Sequence, residues 1–275
     1  MRFDSGPRRG PAAAMIRALR PRRRLLAALL GAAGLMLAGC VGEGDTGLGL
    51  NLVSPQQVRE LGLESWQQLR RETPPSDNRT YQAALRKVGT RLLSAAGENP
   101  NAWEMVVFKG ATANAFALPG NKIGVYEGLF RYAQDEAQLA TVVGHEIAHN
   151  QRNHAAERLN STAATQLGIQ MAGALLGAGG YGDPSLIAAV LGAGAQYGMI
   201  LPYARNQELE ADRLGLMLMA RAGYDPRESI TLWQNMSASG SRTPEFLSTH
   251  PGPENRIAQL ERYMPEALEI YRRGR

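Results

Sequence analysis

Two histidines and a glutamate within five residues have the types and spacing of a zinc site. His145, Glu146 and His149 form the pattern His-Glu-x-x-His in an apolar stretch, and residues 134–157 contain no proline, which favours a helix. Residues four apart lie on one face of a helix, so both imidazoles could hold one Zn²⁺ with Glu146 beside them. The pattern predicts hydrolysis by a zinc-polarised water, with Glu146 as the general base. The alternative is a helix with two ordinary surface histidines.

The third zinc ligand must come from elsewhere in the chain. In metzincins it is a histidine ten residues after the first, a position that Ala155 occupies here, so a carboxylate is favoured. Glu208 and Asp212 share one helical face with Ala211 and Gly215, whose small size would let a neighbouring helix approach. We expect Glu208 to bind the metal and Asp212 to accept the N–H of a ligand histidine. The alternative for Asp212 is a plain surface carboxylate.

Other polar residues are candidates for roles around this site. Glu210 lies about 200° from Glu208 on a helix and is expected to be solvated, while His154 is expected to be a surface or packing residue. The oxyanion formed in peptide hydrolysis needs a second electrophile besides zinc. The candidates for it are His250, Arg256, Tyr203 and Tyr197. For His250 and Arg256, a purely structural role is equally compatible with the sequence.

Several segments match one known enzyme family in residue types and in order. They are His145-Glu-x-x-His149, Glu208-x-x-x-Asp212, Asn114-Ala-Phe-Ala-Leu-Pro-Gly120, Ile123-x-Val125-x-x-Gly128-Leu129 and Ser248-Thr-His-Pro251-x-Pro253-x-x-Arg256-Ile257. With them the chain resembles the gluzincin metallopeptidases of the HtpX and CAAX-prenyl-protease family, metallopeptidase family 48. Asn121 departs from the glycine usual there, but asparagine tolerates a positive φ, so we expect the turn to form.

The resemblance implies an α+β fold, a mostly helical zincin-like domain with a small antiparallel sheet beside the catalytic helix. It also implies peptide hydrolysis with one Zn²⁺ per chain, held by His145, His149 and Glu208. The loop at 248–251 would lie near the metal. There His250 would either fill the fourth coordination position at rest or stabilise the oxyanion, and the resemblance favours the resting ligand.

The first forty residues indicate export. Five arginines between residues 17 and 24 precede a thirteen-residue apolar run, which is too short to span a membrane and fits a signal peptide over 1–39. Met15 is a better start for it than Met1. Leu37-Ala-Gly-Cys40 resembles a bacterial lipobox, and Cys40 is the only cysteine, so we expect lipidation there rather than an incidental cysteine. By resemblance, Val41 favours the outer membrane, on its periplasmic face.

Export would change the charge and the length of the chain. The full sequence carries a formal charge of +5, but residues 1–39 hold eight arginines and one aspartate, so the remaining 236 residues carry −2. No basic patch then argues for a nucleic-acid partner. We expect a lipidated, flexible tether over residues 40–53 and one zinc metallopeptidase domain over 54–275.

Capping and turn signals divide this domain into elements. Helices are predicted at 55–72, with Ser54 as its N-cap, at 79–96, 205–222, after 225 and at 253–272, and strands at 103–109, 114–118 and 123–126. The last two strands form a hairpin around Pro119-Gly120. The small apolar residues of 162–201 predict two closely packed helices rather than membrane contact.

The strand at 114–118 is expected to present an unpaired edge to substrate. An extended peptide could add to it along Asn114, Ala115, Phe116 and Ala117, with weak side-chain specificity. That mode suits unfolded or misassembled envelope proteins, the substrates we expect. One alternative is a factor that holds outer-membrane proteins without cutting them, which the intact Glu146 disfavours. Another is a zinc hydrolase of a non-peptide bond.

Overall fold

The computed structural model describes residues 52–175, 203–238, 244–251 and 255–274. Its helices are α1 (Pro55–Glu72), α2 (Arg79–Ala95), α3 (Glu136–Gln151), α4 (His154–Leu175), α5 (Arg205–Arg221), α6 (Glu228–Ser237), α7 (Glu245–Thr249) and α8 (Arg256–Arg273). Its strands are β1 (Glu104–Phe108), β2 (Ala115–Leu118) and β3 (Lys122–Tyr126). The expected signal peptide, Cys40, the tether up to residue 51, Tyr197 and the region 176–202 lie outside the described residues.

The first two helices begin where their capping residues predict. The Ser54 hydroxyl accepts the N–H of Gln57, and the Gln57 side chain accepts the N–H of Ser54, with Pro55 as the first helical residue. Asn78 caps α2 by accepting the N–H of Tyr81. Both caps satisfy amide groups that the first turn of a helix leaves unpaired, so the predicted starts are confirmed.

The three described strands form one sheet in the order β1-β3-β2. Strands β2 and β3 pair antiparallel, with Phe116 opposite Gly124, which confirms the predicted hairpin and the α+β class. Strand β1 pairs in parallel with the other side of β3, so the sheet is mixed rather than purely antiparallel. Hydrophobic patterning identifies a strand but does not fix its direction, because either direction buries the same face.

The turn between β2 and β3 uses two residues in the left-handed region. Gly120 has a φ of 88° and Asn121 a φ of 63°. Asparagine is one of the few residues with a side chain that adopts this conformation readily. Asn121 therefore replaces a glycine without loss of the turn, as predicted.

Helix α3 lies in the centre of the core, and each residue from 138 to 149 is buried. Its main partner is α5, which crosses it where Gly144 and Gly215 face each other. A Cβ atom on Gly215 would lie 2.9 Å from the backbone nitrogen of His145, so only glycine permits this approach. The small residues of the second helix thus have the effect predicted for them.

Helix α3 ends at Gln151, and the continuous helix predicted to residue 157 is interrupted. Arg152 and Asn153 form a turn in which Asn153 has a φ of 57°, and α4 begins at His154. The absence of proline did not exclude this break, because asparagine can take the left-handed conformation that ends a helix. The break changes the direction in which His154 points.

Two hydrophobic clusters hold these elements together. The larger joins α2, α3, α5, α6, α8 and the inner face of the sheet. The smaller one packs α1 against the sheet and consists of Trp66, Leu69, Phe108, Phe116 and Leu118. Within the described ranges, no helix has both the length and the hydrophobicity to cross a lipid bilayer.

Candidate metal centre

Side chains from three separate segments converge on one point in the core. Helix α3 contributes His145 and His149, α5 contributes Glu208, and His250 follows α7; one potential ligand atom from each lies within 4.8 Å of the others. The Nε2 of His145 is 2.9 Å from the Nε2 of His149 and 3.3 Å from the Nδ1 of His250. Glu208 Oε1 is 3.1 Å from His250 Nδ1 and 3.3 Å from His149 Nε2. All four side chains are buried.

This donor set fits zinc in chemistry and in spacing. Catalytic zinc takes imidazole nitrogens and carboxylate oxygens at about 2.0–2.2 Å, so ligands of a tetrahedral ion lie roughly 3.3 Å from one another. The separations between donor atoms here are 2.9–3.5 Å. Because a neutral imidazole has only one N–H, protons alone cannot satisfy the lone pairs of all four donor atoms. A cation at the centre would use these four lone pairs at once.

The charges around the cluster favour a cation at its centre. Burial alone would lower the pKa of His145, but the carboxylates of Glu208 and Asp212 raise this pKa to about 10. Burial alone would raise the pKa of Glu208, but the neighbouring imidazoles, His145 foremost, hold this pKa well below its usual range. Burial, together with the charge of His145, lowers the pKa of His149. The carboxyl group of Glu208 is therefore ionised at neutral pH.

Asp212 lies one turn after Glu208 on α5 and faces His145. Its Oδ1 is 3.0 Å from His145 Nδ1, the ion-pair contact that the helical spacing predicts, although the two groups lack the orientation of a hydrogen bond. A proton on Nδ1 would face this carboxylate and leave the lone pair of His145 on Nε2, which points into the cluster.

Arg256 lies behind the two carboxylates of α5. Its Nε donates to Asp212 Oδ2 at 2.6 Å, Nη2 to Glu208 Oε2 at 2.5 Å, and Nη1 to the carbonyl of His250 at 3.2 Å. The guanidinium also stacks over Trp233 at 4.1 Å from the ring centre. Each of the three nitrogens of Arg256 donates to a described partner, and a role of this residue at the oxyanion stays a prediction. The guanidinium balances the charge of two buried carboxylates.

Glu146 lies next to the donor cluster and is fully buried. Neither of its carboxylate oxygens has a hydrogen-bond partner in the described part of the chain. His250 Nε2 is 3.3 Å from Glu146 Oε1, but the two groups lack the orientation of a hydrogen bond. A buried carboxylate without partners lowers the stability of a fold, so its position here has a chemical rather than a structural explanation.

His250 lies between the donor cluster and Glu146. Its Nδ1 faces Glu208 and His145, while its Nε2 faces Glu146. The imidazole stacks on Phe246 with ring centres 4.4 Å apart, and Phe246 is tied by its backbone N–H to the carbonyl of Ala113 before β2. The loop that carries His250 is thus anchored to the sheet at the site.

The sequence model of Peptidase family M48 matches residues 79–264, the range that contains all these donors. The chain belongs to peptidase family M48. Members of this family are zinc metallopeptidases, and the buried histidines and glutamate form a group that could bind such a metal ion.

Curated relatives carry metalloendopeptidase and protease names. The mitochondrial metalloendopeptidase OMA1 of Schizosaccharomyces pombe is 36% identical over 184 residues, which cover 66% of this chain and 52% of that protein. The mitochondrial metalloendopeptidase OMA1 of Saccharomyces cerevisiae is 31% identical over 230 residues, or 75% and 62%. The beta-barrel assembly-enhancing protease of Escherichia coli K12 is 32% identical over 210 residues, or 74% and 42%. The chain thus spans about half the length of these relatives.

Tyr203 covers one side of the ligands in this M48 domain. Its ring stacks on His149 with centres 3.9 Å apart and on His250 at 5.3 Å, and the guanidinium of Arg158 lies 4.1 Å from its ring centre. Burial raises the pKa of Tyr203 to about 12, so its phenol stays protonated at neutral pH. Of the two tyrosine candidates for the oxyanion, Tyr203 lies at the site and Tyr197 lies outside the described residues.

His154 is a partner of the M48 metal site that the helical angles did not predict. It is 1% exposed, its Nδ1 is 2.8 Å from His149 Nδ1, and its Nε2 is 3.1 Å from Glu210 Oε2. Glu210 lies outside the donor cluster, but it pairs with His154 and Arg152 instead of being simply solvated. The prediction that His154 points away from His145 and His149 assumed one continuous helix. The turn at residues 152–153 interrupts that helix. The one available signal was Asn153, a residue that often ends helices.

Strand β2 forms an edge of the sheet in the described part of this M48 domain. The N–H of Tyr126 donates to the carbonyl of Asn114, so Asn114, Phe116 and Leu118 direct their backbone groups toward β3. The backbone groups of Ala115 and Ala117 therefore point to the outer edge. Of the four residues expected to contact substrate, Phe116 packs its side chain into the smaller core cluster instead.

Proposed function

We propose that this protein is a zinc-dependent endopeptidase that cleaves misfolded or misassembled proteins of the bacterial envelope. The observation that carries the proposal is Glu146, a buried carboxylate without a hydrogen-bond partner in the described chain, next to a cluster of four metal donors. A purely structural zinc site is closed by protein ligands and has no use for such a group. Membership of the M48 family supports a peptide bond as the target.

The mechanism assigns one task to each polar side chain. His145, His149 and Glu208 would hold zinc, and the bound ion would supply a Lewis acid to polarise the attacking water and the scissile carbonyl. Glu146 takes the proton of that water and later delivers it to the leaving amine. Asp212 orients His145, and the phenol of Tyr203 is a candidate donor to the oxyanion.

Substrate would bind as an additional strand on the outer edge of β2. The outward N–H and C=O groups of Ala117 and the outward C=O of Ala115 would pair with an extended peptide, although both residues are buried in the described structure. The N–H of Ala115 already lies 2.9 Å from the Asn114 side-chain oxygen, so part of this edge is occupied at rest. Recognition through backbone groups requires an unfolded segment and selects little among side chains, which fits misfolded polypeptides.

His250 is proposed to close the site at rest. Because it contacts both the donor cluster and Glu146, it occupies the space that an attacking water needs. Replacing His250 with alanine should then raise basal cleavage of casein while bound zinc stays near one per chain. If His250 instead stabilises the oxyanion, the same change should lower kcat by about 10²–10³-fold with zinc intact.

The control for this change is Thr249→Ala in the same loop. The hydroxyl of Thr249 contacts the carbonyls of Glu245 and Phe246 at 3.2 and 3.3 Å and the Asn114 side chain at 3.4 Å, and in the described part of the chain it contacts no metal donor. Initial rates with casein and metal content by mass spectrometry should stay close to wild type for this variant. Wild-type rates and wild-type zinc in His250→Ala would leave His250 with a structural role only.

The bacterial envelope is proposed from the N-terminal residues together with one relative. The relatives include mitochondrial proteins and a beta-barrel assembly-enhancing protease of Escherichia coli. The basic and apolar segments before Leu37-Ala-Gly-Cys40 have the order of a bacterial lipoprotein signal, which favours the envelope. We propose that a lipid on Cys40 anchors the domain to the outer membrane, where it faces the periplasm.

Replacing Cys40 with serine should prevent both lipidation and cleavage of the signal. The precursor is then expected to stay with the inner membrane, because the uncleaved apolar segment still inserts. Membrane fractionation and intact-mass analysis measure both effects, and Gly39→Ala, which keeps a small residue before the cysteine, should behave like wild type. Recovery of the wild-type protein from the periplasm without detergent would rule out the anchor.

A holding factor for outer-membrane proteins is the second candidate, and the name of the Escherichia coli relative favours considering it. Incubation of the purified protein with an unfolded outer-membrane protein separates the two. A protease yields fragments that disappear when a zinc chelator is added and return with zinc. A holding factor reduces light scattering from aggregation without producing fragments, and that result would replace the proposed function.

A further inference from the structure

His154 is a buried histidine for which the proposed hydrolysis has no use. It lies at the start of α4, between the Nδ1 of His149 at 2.8 Å and the Oε2 of Glu210 at 3.1 Å. Glu210 Oε1 forms an ion pair with the Nε of Arg152 at 2.6 Å. These contacts connect a donor of the metal cluster to the protein surface, where the side chain of Arg152 is 54% exposed.

When His149 binds a metal, the hydrogen bonds that link His149, His154 and Glu210 can all form in only one direction. A neutral imidazole has one N–H and one lone pair, so a lone pair on Nε2 of His149 puts its proton on Nδ1. His154 Nδ1 must then accept that proton's hydrogen bond, which puts the proton of His154 on Nε2. That N–H points at Glu210, which as a carboxylate can only accept.

The opposite arrangement is disfavoured at both ends. If His154 Nδ1 donated to His149, the proton of His149 would lie on Nε2 and block the atom that faces the donor cluster. The lone pair of His154 Nε2 would also face the carboxylate of Glu210, without any proton between them. The position of Glu210 therefore selects which nitrogen of His149 is free.

We propose that His154 and Glu210 are positioning residues that direct the Nε2 lone pair of His149 to the metal. This inference rests on the zinc site of the proposed function. It gives His149 a support equivalent to that of His145, whose Nδ1 faces Asp212 directly at 3.0 Å. The turn at Asn153 is what brings His154 back to the ligand helix, and Tyr203 stacked on His149 at 3.9 Å restrains the other face of the ring.

Two substitutions at residue 154 distinguish the effect of its hydrogen-bond acceptor from the effect of its side-chain volume. His154→Leu fills space but removes the acceptor, and it should weaken zinc affinity about 10–100-fold, the usual effect of losing a ligand's hydrogen-bond partner. His154→Asn keeps an oxygen near the position of Nδ1, so it should restore most of that affinity. Glu210→Ala should weaken affinity by less than His154→Leu, because the acceptor for His149 remains.

The matched control is Asn160→Leu on the same helix. Asn160 is buried and accepts the N–H of Val53 at 2.9 Å, so the change removes a buried hydrogen bond without touching the donor cluster. Zinc affinity is measured on the purified full chain by competition with a chromogenic chelator, and Asn160→Leu should retain the wild-type value. Wild-type affinity in His154→Leu, or equal losses in His154→Leu and His154→Asn, would overturn the proposal.

Nitrogen-15 NMR of the zinc-loaded wild-type protein tests the same proposal without any substitution. His149 should carry its proton on Nδ1, and His154 should carry its proton on Nε2. A proton on Nδ1 of His154 would overturn the proposal even if every variant failed to fold. A wild-type protein that binds no zinc would instead contradict the proposed function, so the two failures are distinguishable.

Discussion

Replacement of Glu208 with alanine is expected to reduce bound zinc from about one ion per chain to almost none, and to abolish peptide cleavage. His145→Ala and His149→Ala should have the same effect, because each removes one of three protein ligands. Glu208→Gln provides a variant of similar shape that keeps an oxygen for Arg256 but removes the charge that zinc requires. Metal content by mass spectrometry and casein cleavage on the same samples measure both effects.

Two other carboxylates of α5 provide graded controls for this loss. Asp212→Ala should weaken zinc affinity about 10–100-fold without abolishing binding, since Asp212 faces His145 and would act on a bound ion only through it. Glu210→Ala should still bind one zinc per chain at saturating metal, because Glu210 lies outside the donor cluster. A requirement for Glu210 instead of Glu208 would contradict the assignment of the third ligand.

Replacement of Arg256 with methionine is expected to lower the free energy of unfolding of the metal-free protein by about 3–5 kcal/mol. That is the usual cost when one partner of a buried ion pair is removed and the other charge remains. Arg256 is buried and donates to both Glu208 and Asp212. Bound zinc should recover part of the loss, because the cation then balances Glu208 in place of the guanidinium.

Arg213→Met is the matched control for this substitution. Arg213 is an exposed arginine on α5 that lies over the ring of Tyr263 at 5.1 Å, away from the metal donors. Its replacement should change stability by no more than about 0.5 kcal/mol, as is usual at the surface. Denaturant unfolding of the wild type and both variants, with a chelator and again with zinc, gives the six values needed. A loss below about 1 kcal/mol for Arg256→Met would contradict its assigned role.

Periodicity along single helices predicted the central part of the site. The four-residue spacing placed His145 and His149 on one face, and the same spacing placed Glu208 and Asp212 on another. The small residues around them predicted the close crossing that Gly144 and Gly215 make possible. These predictions depend only on the geometry of an uninterrupted helix, which both segments have.

The geometry of an uninterrupted helix could not predict contacts between residues on either side of a turn or on different elements. His154 reaches His149 only because the chain turns at Asn153, and a helical projection cannot include a turn. Arg256 was a candidate for the oxyanion because its charge was visible in the sequence, whereas its carboxylate partners come from a different helix. The parallel pairing of β1 also depends on how the chain crosses the sheet.

The most direct test of zinc-dependent peptide hydrolysis compares the wild type with Glu146→Gln. Glutamine has nearly the same shape as glutamate but cannot take the proton of the attacking water. Both proteins should contain about one zinc per chain, since Glu146 is not among the donors. The rate of casein cleavage should fall by about 10²–10⁴-fold in Glu146→Gln, the usual contribution of a general base. Equal rates of cleavage in the two proteins would contradict the assignment of this site as the peptidase centre.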